Sequence, residues 1–301
     1  MGSGGSRGLQ NRCFGAEASK GWFDSDTPPP IQQLSNSKTM NPYILPLTFI
    51  AIVYAAMVVL NERMGLLGDR FSSTGVKVLA YVWLALFMGA LCVLIVASSL
   101  APPSAKDLAK VPFYSLFTLH AILITFLAGW WLMAGRPPLL DFFNVQRRDA
   151  GEAVLTGFAV GFGGWILTIA LALTIALILQ ASGLLPKAPT PSAMIAWMAA
   201  LPIWKKALIV LSAMTIEEMF FRGWLQKRIG LIASTALFAL AHSGLGQPFL
   251  LIGVAIISLI IGTTFYRTKN LIPGVIAHGV FDAVQLFVVI PIAFKATGMG
   301  G

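Results

Sequence analysis

Eight stretches of this chain are too apolar and too long to lie in water: about 43 to 60, 78 to 100, 113 to 134, 153 to 180, 207 to 226, 229 to 244, 249 to 266 and 271 to 292. A run of about 20 apolar residues carries a helix across the hydrocarbon of a bilayer, where the backbone must satisfy its own hydrogen bonds. Only 11% of the 301 residues are charged and the mean hydropathy is +0.80, whereas a soluble domain carries about 25% charged residues. The expected fold class is therefore all-α, a polytopic membrane protein with about eight transmembrane helices. The sixth run is short and the fourth long, so tilt or a partly re-entrant end is expected there.

The polar segments divide the chain. Residues 1–40 are rich in Gly, Ser, Asn and Pro and read as a disordered N-terminal tail. Met40 directly precedes the first apolar run, so the functional chain is free to begin there. Residues 41–190 form a four-helix membrane region. Residues 191–301 hold the other four runs, after a proline-containing loop that includes a short interfacial helix. The net charge of +9 comes from Lys and Arg scattered between the runs, which suits topology determinants at a membrane surface and not a nucleic-acid partner. Without the tail, six Lys and Arg lie on the side of the termini (Lys106, Lys110, Lys187, Lys205, Lys206, Lys295) against eleven on the other. That balance puts the odd-numbered loops in the cytoplasm; with the tail it becomes ten against eleven. The location is a multi-pass integral membrane protein, in the inner membrane if the host is bacterial.

Ionisable side chains inside a bilayer cost at least a few kcal/mol each, about 2.5–3.5 on insertion scales, so they mark function by default. They gather in the back half: Glu217, Glu218 and Arg222 in the fifth run, His242 at the end of the sixth, His278 and Asp282 in the eighth. Counted inward at 1.5 Å per residue from the loop near Lys227 and Arg228, Glu217 lies roughly 13 Å deep, His242 roughly 19 Å, His278 roughly 10 Å and Asp282 roughly 16 Å. One membrane layer thus holds all four, around a single buried, water-containing cavity. Glu218 and Arg222 are four residues apart and pair on one face, leaving Glu217 unpaired about 100° round the helix. An unpaired carboxylate beside two imidazoles is equipment for general-base activation of water. Amide hydrolysis also needs donors aimed at the developing oxyanion, which His278 supplies and Asp282 supplies only when protonated.

These residues carry a resemblance to a known family. Glu217, Glu218 and Arg222 read EExxxR, Phe238 and His242 read FxxxH, and His278 and Asp282 read HxxxD, in that order on separate runs. The chain over about 205 to 292 resembles the CPBP family of intramembrane proteases, the CaaX prenyl-protein endopeptidases and their bacterial relatives linked to bacteriocin processing and immunity. The resemblance implies that the last four helices form the catalytic core. It further implies an intramembrane endopeptidase acting on a membrane-associated peptide or protein, prenylated or leader-bearing. In that reading Glu217 and His242 activate water, Glu218 with Arg222 holds the geometry, and His278 with Asp282 stabilises the oxyanion. The family often has Asn at the last position, so Asp282 is either protonated or an orienter of His278. A divalent metal such as zinc is the other possibility, held by Glu217, His242 and His278 with an open position for water. The alternative reading is a catalytically silent protein of the same fold, an immunity factor or scaffold. A proton-coupled transporter would also bury Glu and His, but the front half shows no repeat of the polar cluster.

Other features have structural explanations. His120 in the third run reads as an interhelical hydrogen-bonding residue. Trp130, Trp131, Trp197, Trp204 and Trp224 read as interfacial anchors, and the glycines of GFAVGFGGW as close helix packing.

Overall fold

The apolar runs fold as helices. The computed structural model describes residues 44–65, 71–100, 104–184, 193–245 and 248–296, so the expected tail over 1–40 lies outside the described residues. The main elements are α1 (Ile44–Met64), α2 (Thr74–Leu100), α3 (Thr118–Met133), α4 (Ala150–Ala181), the short α5 (Ala193–Ala200), α6 (Ile203–Ala241), α7 (Pro248–Thr268) and α8 (Leu271–Val284), whose helical path continues to Ala296. No strand occurs among the described residues.

Among the described residues, five segments are long and apolar enough to cross a bilayer alone: Thr74–Ala97, Phe113–Met133, Ala150–Ala181, Leu250–Thr268 and Leu271–Ala293. A sixth forms if α5 and α6, which meet at a bend of 118°, count as one span. The protein is thus a multi-pass integral membrane protein of the all-α class, with five or six such spans among the described residues against about eight expected from the whole sequence. The fifth and sixth apolar runs account for part of the difference, because they share one helical run folded back on itself at Gly230. Phe221 and Phe238 are 17 positions apart, roughly 25 Å along a straight helix, yet their ring centroids lie 4.8 Å apart. Gly230 makes the reversal with φ 81° and ψ 175°, a conformation essentially confined to glycine. The returning arm, 231–241, is only about 16 Å long at 1.5 Å per residue, too short to cross alone.

Small residues bring α4 against α8. A Cβ added at Gly157 would stand 2.6 Å from Ile276 Cβ, and one at Gly161 2.7 Å from Val280 Cβ. Gly164 is closed off less tightly, by Ile257 and Ile260 of α7 at 3.3 Å. Lipid tails are as apolar as Leu, so association in a bilayer depends on such close van der Waals contact. The glycines of the fourth run thus pack helices together, as their spacing suggested.

A second seam is aromatic. Phe126 and Trp130 of α3 meet Trp224 of α6 at centroid distances of 4.8 and 5.1 Å, and Phe87 of α2 stacks on Phe126 at 3.9 Å. Trp130 and Trp224 are essentially inaccessible, at 0% and 1% exposure, so these two are core residues and not the interfacial anchors expected. Trp204 fits the anchor expectation better, at 59% exposure.

The start of α8 is fixed by a polar clamp. Asn270 Oδ1 accepts from Ile272 N and from Gln146 N, and its Nδ2 donates to Gln146 O. Leu271 N donates to Asn144 O, while Lys227 Nζ donates to Phe142 O and Asn144 Oδ1. The loop between α3 and α4 therefore sets where α6 and α8 stand.

The glycine seam is directly testable. Gly161→Ile should cost about 1–3 kcal/mol through overpacking, read as a lower thermal unfolding midpoint in detergent. Gly163→Ala, where nothing lies within 4 Å of the added carbon, should leave the midpoint unchanged or slightly raised.

Candidate active site

The centre of α6 carries the paired glutamates on an unusual stretch of helix. Ala213–Glu217 and Met219–Gln226 have π-helical hydrogen bonding, a wide form mostly restricted to single turns and frequent at functional sites. Both carboxylates point into the protein, with Glu217 at 7% and Glu218 at 0% exposure.

Glu218 is the hub of a buried ionic network. Its Oε1 accepts from Arg222 at 2.7 Å and lies 2.9 Å from His278 Nδ1. Arg222 turns its other terminal nitrogen to Ser258 of α7, 3.1 Å from the carbonyl and 3.0 Å from the hydroxyl, while its guanidinium carbon lies 4.6 Å above the Phe238 ring. Fully buried charges persist only when paired and hydrogen-bonded in this way. Gly274 in the first turn of α8 gives Glu218 its room, since an added Cβ would stand 3.1 Å from Oε2.

Glu217 belongs to a second group. Its Oε1 lies 3.1 Å from His120 Nε2, across from α3, and its Oε2 lies 3.9 Å from His242 Nε2. The expectation that Glu217 stands unpaired is thus corrected: the reach of α3 into the site provides a partner that helical spacing within α6 could not reveal. His242 Nδ1 lies 2.8 Å from Phe238 O. A carbonyl only accepts, so Nδ1 carries the hydrogen, and in its neutral form the ring presents the Nε2 lone pair to Glu217. Two acceptors therefore face one another across 3.9 Å. Each is within about 2.8 Å of a common point off the line between them, where one water donating both hydrogens fits.

His278 lies between two carboxylates, with Nε2 3.3 Å from Asp282 Oδ2 and Nδ1 on Glu218. Its side chain is nearly buried at 6% exposure, whereas Asp282 at 24% and His242 at 25% reach the edge of the site. All six residues singled out from the sequence are therefore brought together, divided between a Glu217 group and a Glu218 group. Sequence reasoning missed Ser258, which lies in no motif, and read His120 as structural. His120 does bond between helices, but to Glu217 itself, and the signal was the criterion that picked out the others: an ionisable residue inside a span.

The metal set Glu217, His242 and His278 does not fit. His278 has both ring nitrogens on carboxylates other than Glu217, and no three His, Cys, Asp or Glu side chains among the described residues are grouped to hold an ion. An open apolar depression of about 440 Å³ is lined by Phe117, Leu208, Leu211, Ser212, Thr215 and Ile216, and Glu217 is not part of its lining.

Residues 199–284 match the family model of type II CAAX prenyl endopeptidase Rce1-like proteins. Among curated proteins, the Uncharacterized protein YpbD of Bacillus subtilis (strain 168) is 42% identical over 69 residues, which are 23% of this chain and 36% of that protein. The chain thus spans little more than a third of the length of the curated relative it matches. No solved structure matches it. The matched residues contain every member of the three motifs, from Glu217 to Asp282, so over this segment the chain is similar to the type II CAAX prenyl endopeptidase Rce1-like proteins.

Proposed function

We propose that this protein is an intramembrane endopeptidase of the glutamate type, hydrolysing a peptide bond in a membrane-associated peptide or protein. The observation that carries this reading is the pair of acceptors, Glu217 Oε2 and His242 Nε2, facing one another across 3.9 Å in a largely buried site. A water donating to both keeps its oxygen lone pairs free for the scissile carbonyl carbon. As the oxygen attacks, its proton passes to Glu217 or His242, and the same group then delivers it to the leaving amine nitrogen as the C–N bond breaks. The products are a carboxylic acid and an amine, and each side chain ends in its starting state. Positioned general acid–base groups of this kind contribute about 10²- to 10⁴-fold in rate.

The oxyanion is assigned to His278 Nε2–H, whose contact with Asp282 is the longer of its two, at 3.3 Å against 2.9 Å for Nδ1 with Glu218. That contact supports the orienting role for Asp282: an acceptor held on Nε2 fixes the ring and leaves the donor to be shared with developing charge. Glu218, Arg222 and Ser258 hold the frame.

Proteolysis of fluorogenic peptides, prenylated and unprenylated, by the protein in liposomes tests the assignment. Glu217→Gln should lower kcat by about 100-fold or more with an unchanged unfolding midpoint, and a strong chelator should leave wild-type turnover intact. Full activity in Glu217→Gln would refute the mechanism. No turnover by a stable wild type on any peptide would favour the silent immunity-factor or scaffold reading. Glu218→Ala should differ in kind, losing activity and destabilising the fold by roughly 3–5 kcal/mol, because it strands a buried guanidinium.

A further inference from the structure

The chain contains three histidines, and each has a ring nitrogen on Glu217 or Glu218. Two come from the segment that matches the family model, 199–284; the third, His120, comes from α3, outside it. Its contact with Glu217 bridges 97 positions of sequence, and both side chains are about nine-tenths buried, at 10% and 9% exposure. A carboxylate only accepts, so His120 Nε2 carries the hydrogen and donates.

We propose that His120 is a positioning residue for the reacting carboxylate, an inference that rests on the protease reading above. The final torsion of a glutamate side chain is broad and roughly two-fold, so an unrestrained carboxylate swings between its oxygens. A donor on Oε1 removes that freedom and leaves Oε2 as the oxygen that faces His242. The donor is itself rigid. Leu123, Phe126, Leu127 and Trp130 of the same helix are buried, Phe126 and Trp130 pack along the face of α6 that follows Glu217, and the Phe117 ring stands 6.0 Å from the imidazole. The aromatic seam between α3 and α6 thus sets the distance between His120 and Glu217. The site thus takes one of its fixed points from the front half of the chain, outside the family-matched segment.

Three substitutions separate positioning from packing. Glutamine places an amide nitrogen near the position of imidazole Nε2, asparagine places one near Nδ1, and phenylalanine keeps ring volume without a donor. In the liposome assay, His120→Phe and His120→Asn should lower kcat by about 10- to 100-fold, the scale of a small misplacement of a reacting group, with KM within about twofold. His120→Gln should recover kcat to within about fivefold of wild type. Wild-type kcat in His120→Phe would overturn the proposal, as would equal losses in His120→Gln and His120→Phe accompanied by lowered unfolding midpoints. If the wild type turns over no peptide, the failure belongs to the protease reading, and ¹⁵N NMR of histidine-labelled protein decides on His120. A neutral ring protonated at Nε2, whose signal moves on Glu217→Gln, supports the positioning contact; a signal indifferent to that change overturns it.

Discussion

Everything in the site depends on one buried charge pair. Glu218 and Arg222 sit on adjacent turns of a helix in the middle of the protein, at 0% and 2% exposure, and neither has water to turn to. Their attraction offsets the large cost of removing two ions from water with the help of further hydrogen bonds, from Arg222 to Ser258 on one side and from His278 to Glu218 Oε1 on the other. That requirement ties α6 to α7 and α8. The helix carrying Glu217 is therefore pinned to its neighbours by the residue next to it.

The division of labour between neighbouring glutamates follows from this. Successive residues on a helix point in different directions, so a pair placed at the junction of several helices serves two environments at once. Glu218 looks into the network of Arg222, Ser258 and His278. Glu217 looks towards His120 and His242, where one oxygen is tied and the other is left with a facing acceptor. The same chemical group thus stands in two settings, within an ionic network at one position and between two histidines at the next.

What the sequence made legible was local. The Glu218–Arg222 and His278–Asp282 pairs follow from four-residue spacing, and both are present. The common depth of Glu217, His242 and His278 followed from rise per residue and a shared loop. What escaped was set by which helix stands next to which. Trp130 and Trp224 lie near the ends of apolar runs, where tryptophan usually marks the interface, but α3 and α6 press those ends together. His120 looked like any polar residue between helices because nothing in the front half names its partner. The metal set failed for a similar reason: depth placed His278 beside Glu217, whereas the direction of its ring placed it on Glu218 and Asp282. The fold-back at Gly230 escaped as well, because a single positive φ turns one helical run into two unequal arms.

The glycine seam has a mechanical side. Where Gly157 and Gly161 meet α8, there is no layer of flexible side chains to shear, and the backbones themselves limit approach. A helix seated in that manner behaves as a fixed wall. His278 lies between Ile276 and Val280, the two α8 residues that close on those glycines, so the stretch of α8 that carries it stands at a fixed distance from α4.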